Sequence, residues 1–70
     1  MFNERLFRAK VVYNGYTLSE VAKMIEINES TLHRKIKDGG SFTRDEISKL
    51  VQALNLTTDE LTEIFFSENL

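Results

Sequence analysis

Eight polar or charged side chains crowd into residues 28–37: Asn28, Glu29, Ser30, Thr31, His33, Arg34, Lys35 and Lys37. Arginine offers a fixed fork of donors that grips a phosphate or base edge with two parallel hydrogen bonds. Lysine adds point charge, and the amide, hydroxyl and carboxylate groups supply short-range donors and acceptors. The chemistry such a set can do is recognition of an anionic, hydrogen-bonding surface rather than bond making. His33 is the only histidine and there is no cysteine, so neither a metal-ligand set nor a thiol nucleophile is present. There is also no glycine-rich phosphate loop and no paired acids with an evident pocket. These absences point to a non-enzyme that needs no cofactor.

The elements that must position this cluster are helices. Three Thr-x-x-Glu capping boxes, Thr17–Glu20, Thr43–Glu46 and Thr57–Glu60, each open an apolar pattern of helical period. Proline is absent, and glycine occurs only at Gly15 and at Gly39–Gly40, the natural interruptions. The expected helices run from Asn3 to Tyr13, Leu18 to Ile25, Glu29 to Asp38, Arg44 to Leu54 and Thr58 to Phe66. On the first, Leu6, Ala9 and Tyr13 have inward spacing, and Tyr13 and Tyr16 form a core edge. Leu18, Val21, Ala22 and Ile25 make one stripe on the second. Leu32 and Ile36 anchor the third, which Asn28 can cap. Ile47, Leu50, Val51 and Leu54 serve the fourth, and Leu61, Ile64 and Phe65 the fifth. Ile27, Phe42 and Leu56 plug the core from connections. The fold class is all-α with five short helices, in a single domain spanning residues 1–70, with no membrane-spanning run.

Thr17 to Gly39 is the informative stretch. A break of three residues joins two short helices, too brief for an antiparallel hairpin, so they cross steeply. The first is amphipathic, and the second has a narrow apolar seam and a wide polar face. That is a helix-turn-helix layout, whose second helix presents its N-terminal end outward to a DNA groove. The same stretch resembles the lambda/434 repressor and Cro class of helix-turn-helix domains. The resemblance is carried by Thr17-Leu18-Ser19-Glu20-Val21-Ala22, Ile25, Ile27, Asn28, Ser30-Thr31-Leu32, Arg34 and Gly39. It continues through Ile47, Leu50, Ala53-Leu54-Asn55-Leu56 and Asp59-Glu60-Leu61. The ending Ile64-Phe65-Phe66 looks like that of small phage-encoded members.

The resemblance implies double-stranded DNA as partner, a homodimer, transcriptional control and a place in the cytoplasm of a bacterial host. Arg34, Lys35 and Lys37, with Lys23 and Arg44, would meet phosphates. Asn28, Glu29, Ser30, His33 and Arg34 would meet base edges, with Thr17 and Thr31 beside the backbone. Tyr16 could reach a phosphate through its hydroxyl. Each residue also has a plainer reading: a solvated face for the cations, ordinary first-turn positions for Ser30 and Thr31, and a helix-dipole partner for Glu29. Two positions depart from the family. Glu26 stands where a turn glycine is usual, and Leu18 where glutamine is frequent.

Charge is divided along the chain. Residues 1–44 carry eight Lys/Arg against five Asp/Glu, and residues 45–70 carry Lys49 against six, which gives the net −2. One end can therefore be basic while the whole is acidic. Ile64, Phe65 and Phe66 are consecutive, so at least one aromatic faces outward. The stretch either covers the open end of the first helix or contacts a second copy or a partner protein. An antirepressor that docks onto a partner repressor is the alternative function, favoured by the acidic C-terminal part and by Glu26.

Overall fold

The computed structural model describes residues 1–67. Five helices follow in order: α1 (Glu4–Tyr13), α2 (Leu18–Met24), α3 (Glu29–Lys37), α4 (Arg44–Ala53) and α5 (Thr58–Phe65). No strand occurs among the described residues.

Local chemistry sets the helix starts. In all three Thr-x-x-Glu boxes the threonine hydroxyl accepts from the glutamate N–H, and the glutamate carboxylate accepts from the threonine N–H. Asn3 caps α1 by accepting from Leu6 N–H at 3.1 Å. Asn28 occupies the cap position of α3, but its side chain makes no capping hydrogen bond.

The helix ends share one device. After α1, α2, α3 and α4 the chain turns through a left-handed residue: Gly15, Glu26, Gly39 and Asn55. In each case the next N–H reaches back across the turn: Tyr16 to Val11, Ile27 to Ala22, Gly40 to Lys35 and Leu56 to Val51, at 2.9–3.0 Å. These are Schellman closures, which satisfy the last carbonyls of each helix. Glycine adopts that backbone without strain, whereas Glu26 at φ 64 carries a Cβ that opposes it.

The core is Phe7, Val11, Val21, Ala22, Ile25, Leu32, Ile36, Leu50, Leu54, Leu56, Ile64 and Phe65, all buried. Ile27 and Phe42 pack against it from the connections. At one end Phe2, Phe7, Phe42 and Phe65 form an aromatic cluster with centroids 5.6–6.2 Å apart. A side chain at Gly40 would collide with the Phe2 ring, which fixes the loop after α3 beneath the N-terminal residues.

The sequence reading misplaced the inner face of α1. Phe7 and Val11 are buried, Leu6 is half-buried, and Ala9 and Tyr13 are exposed, Tyr13 to 81%. The helix is turned by one residue from the expected stripe. Burial of Phe7 and Val11 favours this rotation, and polar ties on the same side hold it. Lys10 pairs with Glu60 of α5, and the Asn14 amide donates to Leu54 O at 3.1 Å, beside α4. Tyr13 is left outside, its ring beneath the Lys10 ammonium at 5.0 Å. Tyr16, by contrast, is half-buried at the core edge as expected.

Candidate nucleic-acid interface

The α2–α3 pair is held by its apolar seam. Val21 and Ala22 of the first helix, Ile25 at its C-terminal cap, and Leu32 and Ile36 of the second are all buried in the common core. At about 100° per residue, Leu32 and Ile36 point one way on α3. Ser30, Arg34 and Lys37 point the other way, His33 lies on one flank and Glu29, in the first turn, falls on the Ile36 side; all five are exposed. Thr31 and Lys35 lie on the flank and are half-buried.

The exposed face is chemically available. Arg34 and Lys37 have no acid partner among the described residues, and the same holds for Lys23 and Arg44. The uncapped Asn28 amide adds donors and an acceptor at the N-terminal end of α3. His33 Nε2 lies 3.4 Å from Glu29 Oε2 one turn away, so the one acid on this face is held by a neighbouring side chain. Ser30 is exposed beside them.

Two expected site residues are engaged elsewhere. Lys35 pairs with Glu46 Oε1 at 3.1 Å and donates to Ser41 O at 3.2 Å, with only 15% of its side chain exposed. It therefore fastens the end of α3 to the start of α4. Burial pushes the Glu46 carboxyl up, but the Thr43 N–H and Lys35 outweigh it and hold the group below the usual glutamate range. Thr17 spends its hydroxyl on the Glu20 N–H at 3.2 Å. Its position at the start of α2 still places it at the motif's edge.

Glu26, the residue in the turn, is balanced by a cation. Lys49 Nζ of α4 lies 2.7 Å from Glu26 Oε2 and 3.1 Å from Asp45 Oδ2. Glu26 first and Asp45 second raise the Lys49 ammonium above its ordinary range. This three-membered network was missed by the sequence reading. Only its i, i+4 half, Asp45–Lys49, has a sequence signature. Leu18 is half-buried against the core, so the position that departs from glutamine serves packing.

At the C-terminal end, Ile64 and Phe65 are buried in the core and are withdrawn as contact residues. Their side chains close the base of α1 and the aromatic cluster instead, where burial of large apolar groups is worth most. Phe66 is the aromatic that faces outward, 61% exposed. No cluster of three or more His, Cys, Asp or Glu side chains suited to a metal occurs among the described residues. Nor is any described helix long and apolar enough to cross a membrane.

No curated protein and no solved structure matches the chain. The family described as the Cro/C1-type HTH DNA-binding domain does match, over residues 13–67. The match begins at the end of α1, takes in the whole helix-turn-helix and both later helices, and covers well over half of the 70 residues. With five helices in this order and a free polar face on the second helix of the motif, the chain belongs to the Cro/C1-type helix-turn-helix DNA-binding family, whose members are non-enzymatic regulators.

Proposed function

We propose that the protein is a sequence-specific transcriptional regulator of the phage repressor/Cro type, with α3 lying in the major groove of its operator. The observation that carries this reading is the state of the α3 face. Arg34 and Lys37 are exposed without an acid partner among the described residues, while Lys35 on the flank is paired with Glu46. In this reading Arg34 makes a bidentate base or phosphate contact, Asn28 and Ser30 meet base edges, and Lys37, Lys23 and Arg44 meet phosphates. Glu29 accepts from a cytosine amino group or from His33. Thr17 and Thr31 lie beside the sugar-phosphate backbone. The protein acts as a homodimer in the cytoplasm of a bacterial host and reads two half-sites about 34 Å apart.

The test is binding of the purified protein to DNA from around its own gene at low and moderate salt. Neutralised phosphates release counterions, so affinity falls steeply as salt rises. Arg34→Ala lowers affinity by about 1–3 kcal/mol and relaxes specificity at one base position. Unchanged affinity in a folded Arg34→Ala variant refutes the groove assignment.

A second reading is favoured by the exposed Phe66 and the acidic C-terminal half. In it the protein is a phage antirepressor that binds a partner repressor through this end. Its signature is a folded protein that does not bind DNA at low salt, and whose partner binding depends on Phe66 and little on salt.

A further inference from the structure

Asn14 is followed by Gly15, whose lack of a side chain leaves its amide nitrogen unobstructed. The other asparagines, Asn3, Asn28, Asn55 and Asn69, are followed by Glu, Glu, Leu and Leu. We propose that Asn14 is a site of spontaneous deamidation that the fold holds closed and whose reaction unlocks the fold. In the reaction the Gly15 nitrogen attacks Asn14 Cγ. The new C–N bond closes a succinimide ring, and the amide nitrogen leaves as ammonia with the proton from Gly15. Water then opens the ring at either carbonyl, giving aspartate or its isoaspartyl isomer. The net change is one water consumed and one ammonia released, with no oxidant or reductant.

The structure ties up both reacting groups. Asn14 Nδ2 donates to Lys10 O at 2.7 Å and to Leu54 O at 3.1 Å. Its Oδ1 accepts from Asn55 Nδ2 at 3.3 Å. The Gly15 N–H donates to Val12 O at 2.9 Å within the closure of α1. Ring closure needs the side chain to leave the Leu54 carbonyl and the Gly15 amide to leave Val12. Both require the end of α1 to open. Local opening of this kind occurs with a free energy set by the contacts broken.

The product keeps an acceptor for Asn55 Nδ2 but cannot reform the two bonds that Asn14 donates. A carboxylate at position 14 has no donors and faces the carbonyls of Lys10 and Leu54, and an uncompensated charge opposite acceptors is costly. The isoaspartyl isomer also lengthens the backbone inside the turn. Each modified molecule therefore opens more readily at the junction of α1 with the end of α4. This inference is independent of what the α3 face binds.

The test follows the intact mass and a peptide map of the full chain in mildly alkaline buffer, folded and in urea. The expected result is conversion at Asn14 in urea and conversion at least about tenfold slower in the folded chain, since each tenfold corresponds to about 1.4 kcal/mol of opening. An Asn14→Asp chain melts at a lower temperature than the unmodified chain. Equal rates in the two conditions, conversion in urea at another asparagine first, or an Asn14→Asp chain that melts with the wild type would each overturn the proposal. If Asn14→Asp does not fold, the wild-type rate comparison decides alone.

Discussion

Replacing Glu26 with glycine should stabilise the protein. Glu26 has φ 64 and holds the left-handed position of its Schellman closure, the position that Gly15 and Gly39 fill after α1 and α3. A side chain in that region costs about 1–2 kcal/mol, and glycine does not incur it. Against this, glycine makes the unfolded chain more flexible by roughly 0.5–1 kcal/mol. Losing the Glu26–Lys49 pair subtracts little, because Glu26 is 73% exposed there and Lys49 keeps Asp45 at 3.1 Å. The net expectation is a gain of about 0.5–1 kcal/mol, which for a domain of this size raises the melting temperature by roughly 2–8 °C. Thermal and urea unfolding followed by circular dichroism measure it. Glu26→Ala is the control: it keeps the strained backbone and loses the ion pair, so it should be no more stable than wild type. A glycine variant that melts at or below wild type, or an alanine variant that matches the glycine one, would refute the strain argument.

Three further outcomes follow from the same contacts. The Glu46 and Glu60 carboxyls are both held below the usual glutamate range; Lys10, then Thr57, does this for Glu60. A depressed carboxyl stabilises the fold above its unfolded value and loses that contribution as pH falls through the lower folded value. Urea midpoints should therefore be flat near neutrality and drop below about pH 4.3, and Glu46→Gln should drop less steeply. Thr43→Ala removes the hydroxyl that accepts from Glu46 N–H at 3.1 Å and should cost about 1 kcal/mol in urea unfolding. Phe66→Ser should leave the melting temperature within the range of ordinary surface substitutions, about ±0.5 kcal/mol, while weakening any self-association seen by sedimentation; a large loss of stability would show that Phe66 packs after all.

Much of the architecture is legible in the chain because it is written locally. A threonine three residues before a glutamate specifies a helix start without reference to anything distant, and all three such signals do so here. Gly15 and Gly39 likewise announce their turns, while Glu26 and Asn55 occupy the same backbone without that announcement. The rotation of α1 is not legible, because Leu6, Phe7, Val11, Val12 and Tyr13 spread apolar groups round most of the helix. Which of them turns inward depends on distant partners: Phe42 packs against Phe7, and Glu60 and the Leu54 carbonyl hold Lys10 and Asn14 from some 40–50 residues away. The same limit governs the α3 face. In sequence Arg34 and Lys37 fall on the polar face of the third helix and Lys35 near its edge, but only the arrival of Glu46 at the end of α3 makes Lys35 the paired cation and leaves the other two open.

That separation supplies the most direct test of the central claim. Operator-length DNA from around the gene is titrated at low and moderate salt with wild type, Arg34→Ala and Lys35→Ala, with unfolding curves taken in parallel. The expected result is tight, salt-sensitive binding by wild type. Arg34→Ala loses about 1–3 kcal/mol of affinity at unchanged stability, whereas Lys35→Ala loses stability while its folded fraction binds nearly as wild type does. A well-folded wild type that does not bind at low salt, or an Arg34→Ala variant that binds equally well, would contradict the account.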